Sequence, residues 1–514
     1  MVNKDLSSYY NITKYARKPS AVVKIGSTPL GGSNPIRLQT MTSTNTNSIN
    51  ETVEQSIRAV EAGAEYIRIT TQGVREVKSL EKIKAELRNK GYETPLIADI
   101  HFNPSAALEA AKFADKIRIN PGNYSDKSRT SAVNLSKSDY EADLLKAEER
   151  FLGLLEICKQ NNVAIRIGVN HGSLSHRIMN RYGDTPEGMA HSAMEFLRIC
   201  HKHNHHQLVV SMKSSNTRVM VQATRYLYKM MNDEGMSYPL HLGVTEAGEG
   251  EDGRIKSAVG IGALLVDGLG DTVRVSLTEE PEKEIPVAKL LVGLFKNWKN
   301  QKVTTIPKTI KVNPFQYSKR KTASILNIGG ENAPIVMANL SQQNQLHLKN
   351  IEEWGWTFNN AIGEWIASEH AADYFYTGEA SIAQLPDPDG LPLVGYNKNC
   401  KYRCFKLSSS DFKKDTPQEP YFIEANANSL GIEQIKLLKN LPSAIIILKA
   451  NSPYQFYNVR NIIFSLIESD IENPCVISFG FPEASSGNLQ VESAAITGSL
   501  FLDGMGDGLI ITAP

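Results

Sequence analysis

Short β-branched runs alternate with longer helical patterns eight times between Pro35 and residue 297, and this alternation constrains the chain more than any other feature. The runs at 36–39, 66–69, 96–99, 116–119, 163–168, 207–212, 240–243 and 272–276 predict strands. The stretches 50–62, 75–90, 104–113, 138–161, 186–204, 216–234, 254–266 and 283–297 predict the helices that follow them. Gly63, Gly91, Pro95 and Pro239 fall between elements, where a helix must stop and a strand begin. A strict βα order demands a parallel sheet, and eight pairs in some 265 residues match a closed (βα)8 TIM barrel in number and size. A doubly wound sheet is the lesser alternative.

The remainder of the chain repeats part of this unit. SAVGIGALLVDGLGD at 257–271 aligns without a gap on SAAITGSLFLDGMGD at 493–507, with eight identities in fifteen at an offset of 236. The same offset lays LVVSMK (208–213) on AIIILK (444–449) and so matches Lys213 with Lys449. Similarity at so long a period points to a duplicated domain. The expected organisation is a first α/β TIM barrel over 1–300, a polar linker or surface extension over 301–332, and a second, degenerate TIM-barrel-like domain over 333–514. At the offset Arg274 becomes Ile510 and Ser276 becomes Thr512, so the second copy lacks the arginines of the first and is expected to be structural.

A net charge of +1 excludes a nucleic-acid tail or a polybasic membrane anchor. No apolar run reaches transmembrane length, and the first twenty residues lack the apolar stretch of a secretory signal, so a cytoplasmic chain is expected. Cys158, Cys200, Cys400, Cys404 and Cys475 form an odd, scattered set, as reduced thiols do. No metal site is expected among these residues.

Residues at the carboxyl ends of barrel strands line the mouth where TIM barrels carry their sites. Those ends read Arg68-Ile-Thr70, Asp99-Ile-His101, Arg118-Ile-Asn120, Arg166-Ile-Gly168-Val-Asn170, Lys213, Thr245-Glu246 and Arg274-Val-Ser276. A spacing of two puts each polar pair on one face. Arg68, Arg118, Arg166, Lys213 and Arg274 outnumber the visible acids Asp99 and Glu246. A buried charge needs a partner or a ligand, so an anion of more than one charge, a phosphate ester or diphosphate, is the natural completion. One arginine alone would read as a structural ion pair. Glu246 reads either as a solvated loop acid or as an acid-base group, and His101 either as a hydrogen-bonded structural histidine or as a proton donor oriented by Asp99.

At these positions the sequence resembles the (E)-4-hydroxy-3-methylbut-2-enyl diphosphate synthase family, IspG or GcpE. The resemblance rests on QTMTSTNT (39–46), ADIHF (98–102), RINPGN (118–123), IRIGVNHGSL (165–174), VVSMKSSN (209–216), HLGVTEAG (241–248), KSAVGIGALL (256–265) and DGLGDTVRVSL (267–277). It spans almost the whole first domain, and the second barrel resembles the inserted domain of the family's long, three-domain form. The resemblance implies the reductive ring opening of 2-C-methyl-D-erythritol 2,4-cyclodiphosphate in the non-mevalonate isoprenoid pathway, with flavodoxin or ferredoxin as electron donor. Arg68, His101, Arg118, Asn120, Arg166, Asn170, Lys213, Thr245, Arg274 and Ser276 would then hold the cyclic diphosphate. Glu246 would stand near the departing hydroxyl, supported by Asp99.

The family also carries a 4Fe-4S cluster on a C-terminal domain with three cysteines, two of them in a C-x2-C pair, and a glutamate ligand. This sequence contains no C-x2-C pair and reads ITAP after the second barrel. The expectation is therefore a truncated form or gene fragment that binds the substrate without reducing it. A pterin-binding barrel of the dihydropteroate-synthase kind and a non-catalytic scaffold are the competing readings, and homodimerisation stays open.

Overall fold

The computed structural model describes residues 9–100, 103–125, 135–296, 298, 303–407 and 419–514. The chain divides into two units, one formed by Ala16–Asn297 with 314–316, the other by 1–15, Trp298–Asn313 and Tyr317–Pro514.

In the first unit eight parallel strands form the ring: β1 (Arg37–Met41), β2 (Tyr66–Thr70), β3 (Leu96–Asp99), β4 (Lys116–Ile119), β5 (Ala164–Asn170), β6 (Leu208–Lys213), β7 (His241–Leu242) and β8 (Thr272–Val273). Each of β1 to β6 pairs with its sequence neighbours, β8 pairs with β7 and β1, and a parallel bridge between Val210 and Leu240 joins β6 to β7. This is the (βα)8 barrel read from the sequence. The outward residues Ile67, Ile69, Ala98, Ile117, Ile119, Ile165, Ile167 and Val210 are fully buried beneath the helices. Burial of that apolar surface fixes the register, because a slip of one residue would turn the charged set outward.

Helix starts are held locally. The Asn103 side chain accepts from the backbone N–H groups of Ser105 and Ala106 ahead of Pro104–Ala110, and Asn216 does the same for Arg218 and Val219 ahead of Thr217–Asp233. The amino-terminal end of the ring is closed by a short antiparallel bridge between Val23 and Leu30. Val23, Ile25 and Leu30 pack there against Tyr66, Ile97, Ala164 and Val209.

The second unit is also a closed parallel barrel. Its strands are β9 (Ile335–Asn339), β12 (Tyr374–Gly378), β13 (Leu393–Gly395), β14 (Tyr402–Lys406), β15 (Tyr421–Asn426), β16 (Ala444–Ala450), β17 (Cys475–Gly480) and β18 (Gly508–Thr512). A hairpin, β10 (Trp356–Asn359) and β11 (Glu364–Ala367), lies outside the ring. The degeneracy lies in the crossovers. Full helices follow β16 (Phe456–Glu468) and β17 (Ser486–Leu502), a single 3-10 turn leads from β12 to β13, and a short loop leads from β13 to β14.

The domain boundaries differ from the expected 1–300, 301–332 and 333–514 at two places. Residues 9–15 belong with the second unit, where the Arg460 guanidinium lies 5.0 Å from the Tyr10 ring and donates to the Asn11 carbonyl. Of the stretch expected as a linker or surface extension, 303–313 and 317–332 are bound to the same unit and 314–316 to the first. Thr305 is buried and donates to the Leu430 carbonyl, and Arg320 is buried with donors on the Ile471 and Asn473 carbonyls. Composition marked 301–332 as polar, but backbone carbonyls of the second unit satisfy those polar groups.

Candidate active site

The first barrel brings its strand-end cations around one carboxylate. Asp99, fully buried at the end of β3, lies 3.6 Å from Arg68 Nε, 3.5 Å from Arg118 Nη1 and 3.9 Å from Arg166 Nη2. Arg118 Nη2 also donates to the Gly168 carbonyl at 3.0 Å and to Asn170 Oδ1 at 3.1 Å. Glycine at 168 leaves room for this guanidinium, since a Cβ there would sit 2.6 Å from Arg118 Nε and displace it. Lys213 ends β6 and forms no ion pair among the described residues. A Cβ at Gly243 would fall 2.2 Å from its Nζ.

Arg274 is held by an acid that the sequence did not single out. Glu284, buried in the first turn of the helix Pro281–Lys296, accepts from Arg274 Nε at 3.3 Å and Nη2 at 3.1 Å. The same carboxylate accepts from Thr40 Oγ1 at 2.6 Å and from the Leu277 N–H at 3.1 Å, tying β1 to the segment after β8. Between the two arginine groups lies Met41, whose sulfur takes Arg68 Nη2 at 2.7 Å and Arg274 Nη1 at 3.7 Å. A thioether is a weak acceptor and yields readily to an anionic oxygen.

The charge count decides what the mouth can hold. Five cations face two buried carboxylates, Asp99 and Glu284, which leaves an excess of three positive charges in the protonated state. Burial lowers Arg68 to about 10, against the pull of Asp99, with Arg274 and Arg118 lowering it further. Burial and the neighbouring cations hold Arg166 and Lys213 well below their ordinary values. Arg166 Nε and Nη1 and Asn120 Nδ2 are buried without a hydrogen-bond partner among the described residues. Leaving such donors unmade is costly, and an oxyanion with several acceptor oxygens would satisfy them.

Other expected site residues are less enclosed. Thr245 and Ser276 are half-buried at the rim, and the Thr245 N–H donates to the Ser214 carbonyl at 3.2 Å. Glu246 is exposed and holds a left-handed backbone with φ of 51°, a conformation uncommon outside glycine. It is not the second acidic partner of the cations; that place belongs to Glu284. His101 lies outside the described residues.

Two further basic residues lie in the interior below the strand ends. Lys116 and His241 lie two residues before Arg118 and Gly243, on the same inward face. Both are buried, and neither Lys116 Nζ nor the ring nitrogens of His241 have a hydrogen-bond partner among the described residues. Lys116 Nζ lies 4.8 Å from the Tyr66 ring. Burial, with Arg166 and Arg68 in addition, keeps Lys116 well below its ordinary value, and His241 is lowered by burial and by Lys213, Arg166, Lys116 and Arg68. The period of two already marked these positions as inward, but the sequence reading stopped at the strand ends.

A (βα)8 barrel with a cationic, incompletely neutralised mouth is the class that fold and site define. The profile of the GcpE TIM-barrel domain matches residues 20–289. Over 508 residues the chain is 44% identical to the 4-hydroxy-3-methylbut-2-en-1-yl diphosphate synthase (flavodoxin) of Phocaeicola vulgatus, covering 98% of this chain and 79% of that protein. It is 43% identical over 506 residues to the protein of the same name from Bacteroides thetaiotaomicron, again covering 98% and 79%. Among solved structures, dihydropteroate synthase from Xanthomonas albilineans covers 54% of this chain and 97% of its own at 12% identity, with a TM-score of 0.35. The chain belongs to the GcpE family of 4-hydroxy-3-methylbut-2-en-1-yl diphosphate synthases, oxidoreductases of the non-mevalonate isoprenoid pathway. No helix among the described residues is long and apolar enough to cross a membrane.

The cysteines of this chain do not fit the 4Fe-4S cluster that the resemblance implies. All five cysteines are buried, and burial pushes Cys158 and Cys475 up to about 12 and Cys200 and Cys404 higher still. A cluster ligand must be a thiolate, which such surroundings oppose. Among the described residues no three His, Cys, Asp or Glu side chains converge on a metal position.

Lys116 gives a direct test of the buried basic groups. Unfolded, its amine keeps its proton up to the ordinary lysine range; folded, it releases it at lower pH. The unfolded chain therefore binds more protons in the window below that range, and the free protein loses stability as pH falls through it. Lys116→Met should stabilise the free protein by about 1 to 3 kcal/mol and flatten this slope. Urea unfolding of both proteins from pH 6 to 10 measures both effects, and a variant of lower stability with an unchanged slope would refute the assignment.

Proposed function

We propose that the first barrel binds 2-C-methyl-D-erythritol 2,4-cyclodiphosphate and presents it for reductive ring opening to 4-hydroxy-3-methylbut-2-enyl diphosphate. The observation that carries this reading is the uncompensated positive charge at the mouth, in a chain of the GcpE family. A cyclic diphosphate supplies the missing negative charge and the acceptor oxygens that the buried donors of Arg166 and Asn120 require.

In this reading Arg68, Arg118, Arg166, Lys213 and Arg274 grip the phosphate oxygens, with Asn120, Asn170, Thr245 and Ser276 completing the hydrogen bonds. Arginine suits the role because its planar fork meets two oxygens at once. Asp99 is a positioning residue that keeps three guanidinium groups aimed inward. Glu246 at the rim, together with His101, exchanges protons with the departing hydroxyl. Ring opening takes up two electrons, and reduced flavodoxin, the donor in the relatives' names, is the proposed source. The second barrel has a structural role towards this reaction.

Two measurements test the reading. Cyclic diphosphate at 100 times its dissociation constant should raise the stability of the chain by about 2.7 kcal/mol in a thermal-shift assay. A scaffold that only retains ancestral residues would give no shift. Arg274→Ala should weaken binding by about 1.5 to 3 kcal/mol by calorimetry, the range for a lost charged hydrogen bond. Unchanged affinity would remove that arginine from the site.

A further inference from the structure

The second barrel has a polar mouth of its own. Asn339, Glu424, Lys449, Ser478 and Thr512 each lie two residues beyond a member of the apolar interior, namely Met337, Phe422, Ile447, Val476 and Ile510. The strand period of two therefore turns all five inward at the carboxyl ends. Below them the barrel is filled with hydrocarbon and aromatic side chains, so it is packed and the polarity is confined to one end.

These groups are ordered among themselves. The Tyr376 hydroxyl donates to Glu424 and lies 3.1 Å from the Tyr396 hydroxyl. Lys449 Nζ reaches the same Glu424 oxygen at 3.4 Å and stands 5.9 Å from the Tyr376 ring. Asn339 Nδ2 donates to Thr512 Oγ1 at 2.6 Å. Burial keeps Tyr376 and Tyr396 protonated and hence able to donate. A cavity of about 310 Å³ opens over this network, with Asn339, Lys449, Ser478, Phe481 and Thr512 in its wall. That volume is at the lower end of small-molecule sites.

The duplication gives the cavity a counterpart. Lys449 and Thr512 stand at the offset of 236 from Lys213 and Ser276, so the copy keeps an ammonium and a hydroxyl where the first mouth has them. What differs is the charge. Lys449 faces Glu424, while Lys406, two residues beyond the interior Cys404 and 4.7 Å from the Tyr396 ring, is paired with Glu379 at 3.3 Å, and the long bond from Lys449 to Glu424 leaves the remaining ammonium protons for a guest.

We propose that the mouth of the second barrel is a binding site for a small hydroxylated oxyanion, gripped by the Lys449 ammonium and by the amide and hydroxyl groups of Asn339, Ser478 and Thr512. Lys449, the one cation among the described residues of the cavity wall, selects one anionic group, and the amide and hydroxyl donors select a short hydroxylated chain. A cyclic diphosphate, with its higher charge, belongs in the first barrel and is a poor match here.

Calorimetry on the full chain with glycerol 3-phosphate and with glycerate tests the proposal and separates a phosphate from a carboxylate as the anchored group. Lys449→Met should weaken binding of the preferred probe about tenfold or more, whereas Arg274→Ala in the first barrel should leave that component unchanged. Glu424→Gln removes the competing carboxylate and should tighten the same component several-fold. A purely structural pair would be disturbed by either change, so opposite signs are diagnostic, and the glutamine variant still decides the matter if the methionine variant does not fold. Absence of binding by both probes, or weakening by Glu424→Gln, would overturn the proposal.

Discussion

Electrostatic repulsion inside a closed sheet is the constraint on which the first barrel depends. Arg68, Arg118 and Arg166 project from three different strands into one interior, and without Asp99 among them their mutual repulsion would act on the ring itself. Glu284 does the same service for Arg274 from outside the strands. Neither carboxylate completes the neutralisation. The stability of the free protein is thus lowered at the place where ligand binding can return it, a trade between stability and activity common to sites built on buried charge.

Much of this was legible in advance, for a physical reason. Parallel strands in a barrel are buried on their outer face under helices and on their inner face by the core, so apolar runs of fixed length recur between helical patterns. The period of two then assigns each polar residue to a face, which was enough to gather Arg68, Asp99, Arg118, Arg166, Lys213 and Arg274. The partner of a charge is harder to read. Glu284 stands beside Glu282 in the same helical turn, and only the packing of that helix on β1 and β8 separates the buried acid from the half-exposed one. Lys116 was legible by parity but sits too deep for a reading confined to the rim.

The second barrel shows the opposite limit. Identity between the halves is concentrated in one helix-turn segment, so the sequence revealed a duplication without the number of strands. The ring closes through eight parallel strands although two of the described crossovers, β12 to β13 and β13 to β14, have no α-helix. Hydrogen bonding between strands and an apolar interior suffice to close it, and neither leaves a regular helical period between strands. The attachment of 303–313 and 317–332 to this unit was equally hidden. Polar composition resembles a linker whether its donors face water or, as at Arg320, backbone carbonyls.

The plug formed by Val23, Ile25 and Leu30 carries a consequence for traffic through the first barrel. Its hydrocarbon stopper packs against Tyr66, Ile97, Ala164 and Val209 and seals the amino-terminal end. The vessel so made is a cup and not a conduit. On the proposed function, guest and spent product share one doorway, and a molecule enters only after its predecessor has backed out past the same ring of positive charge.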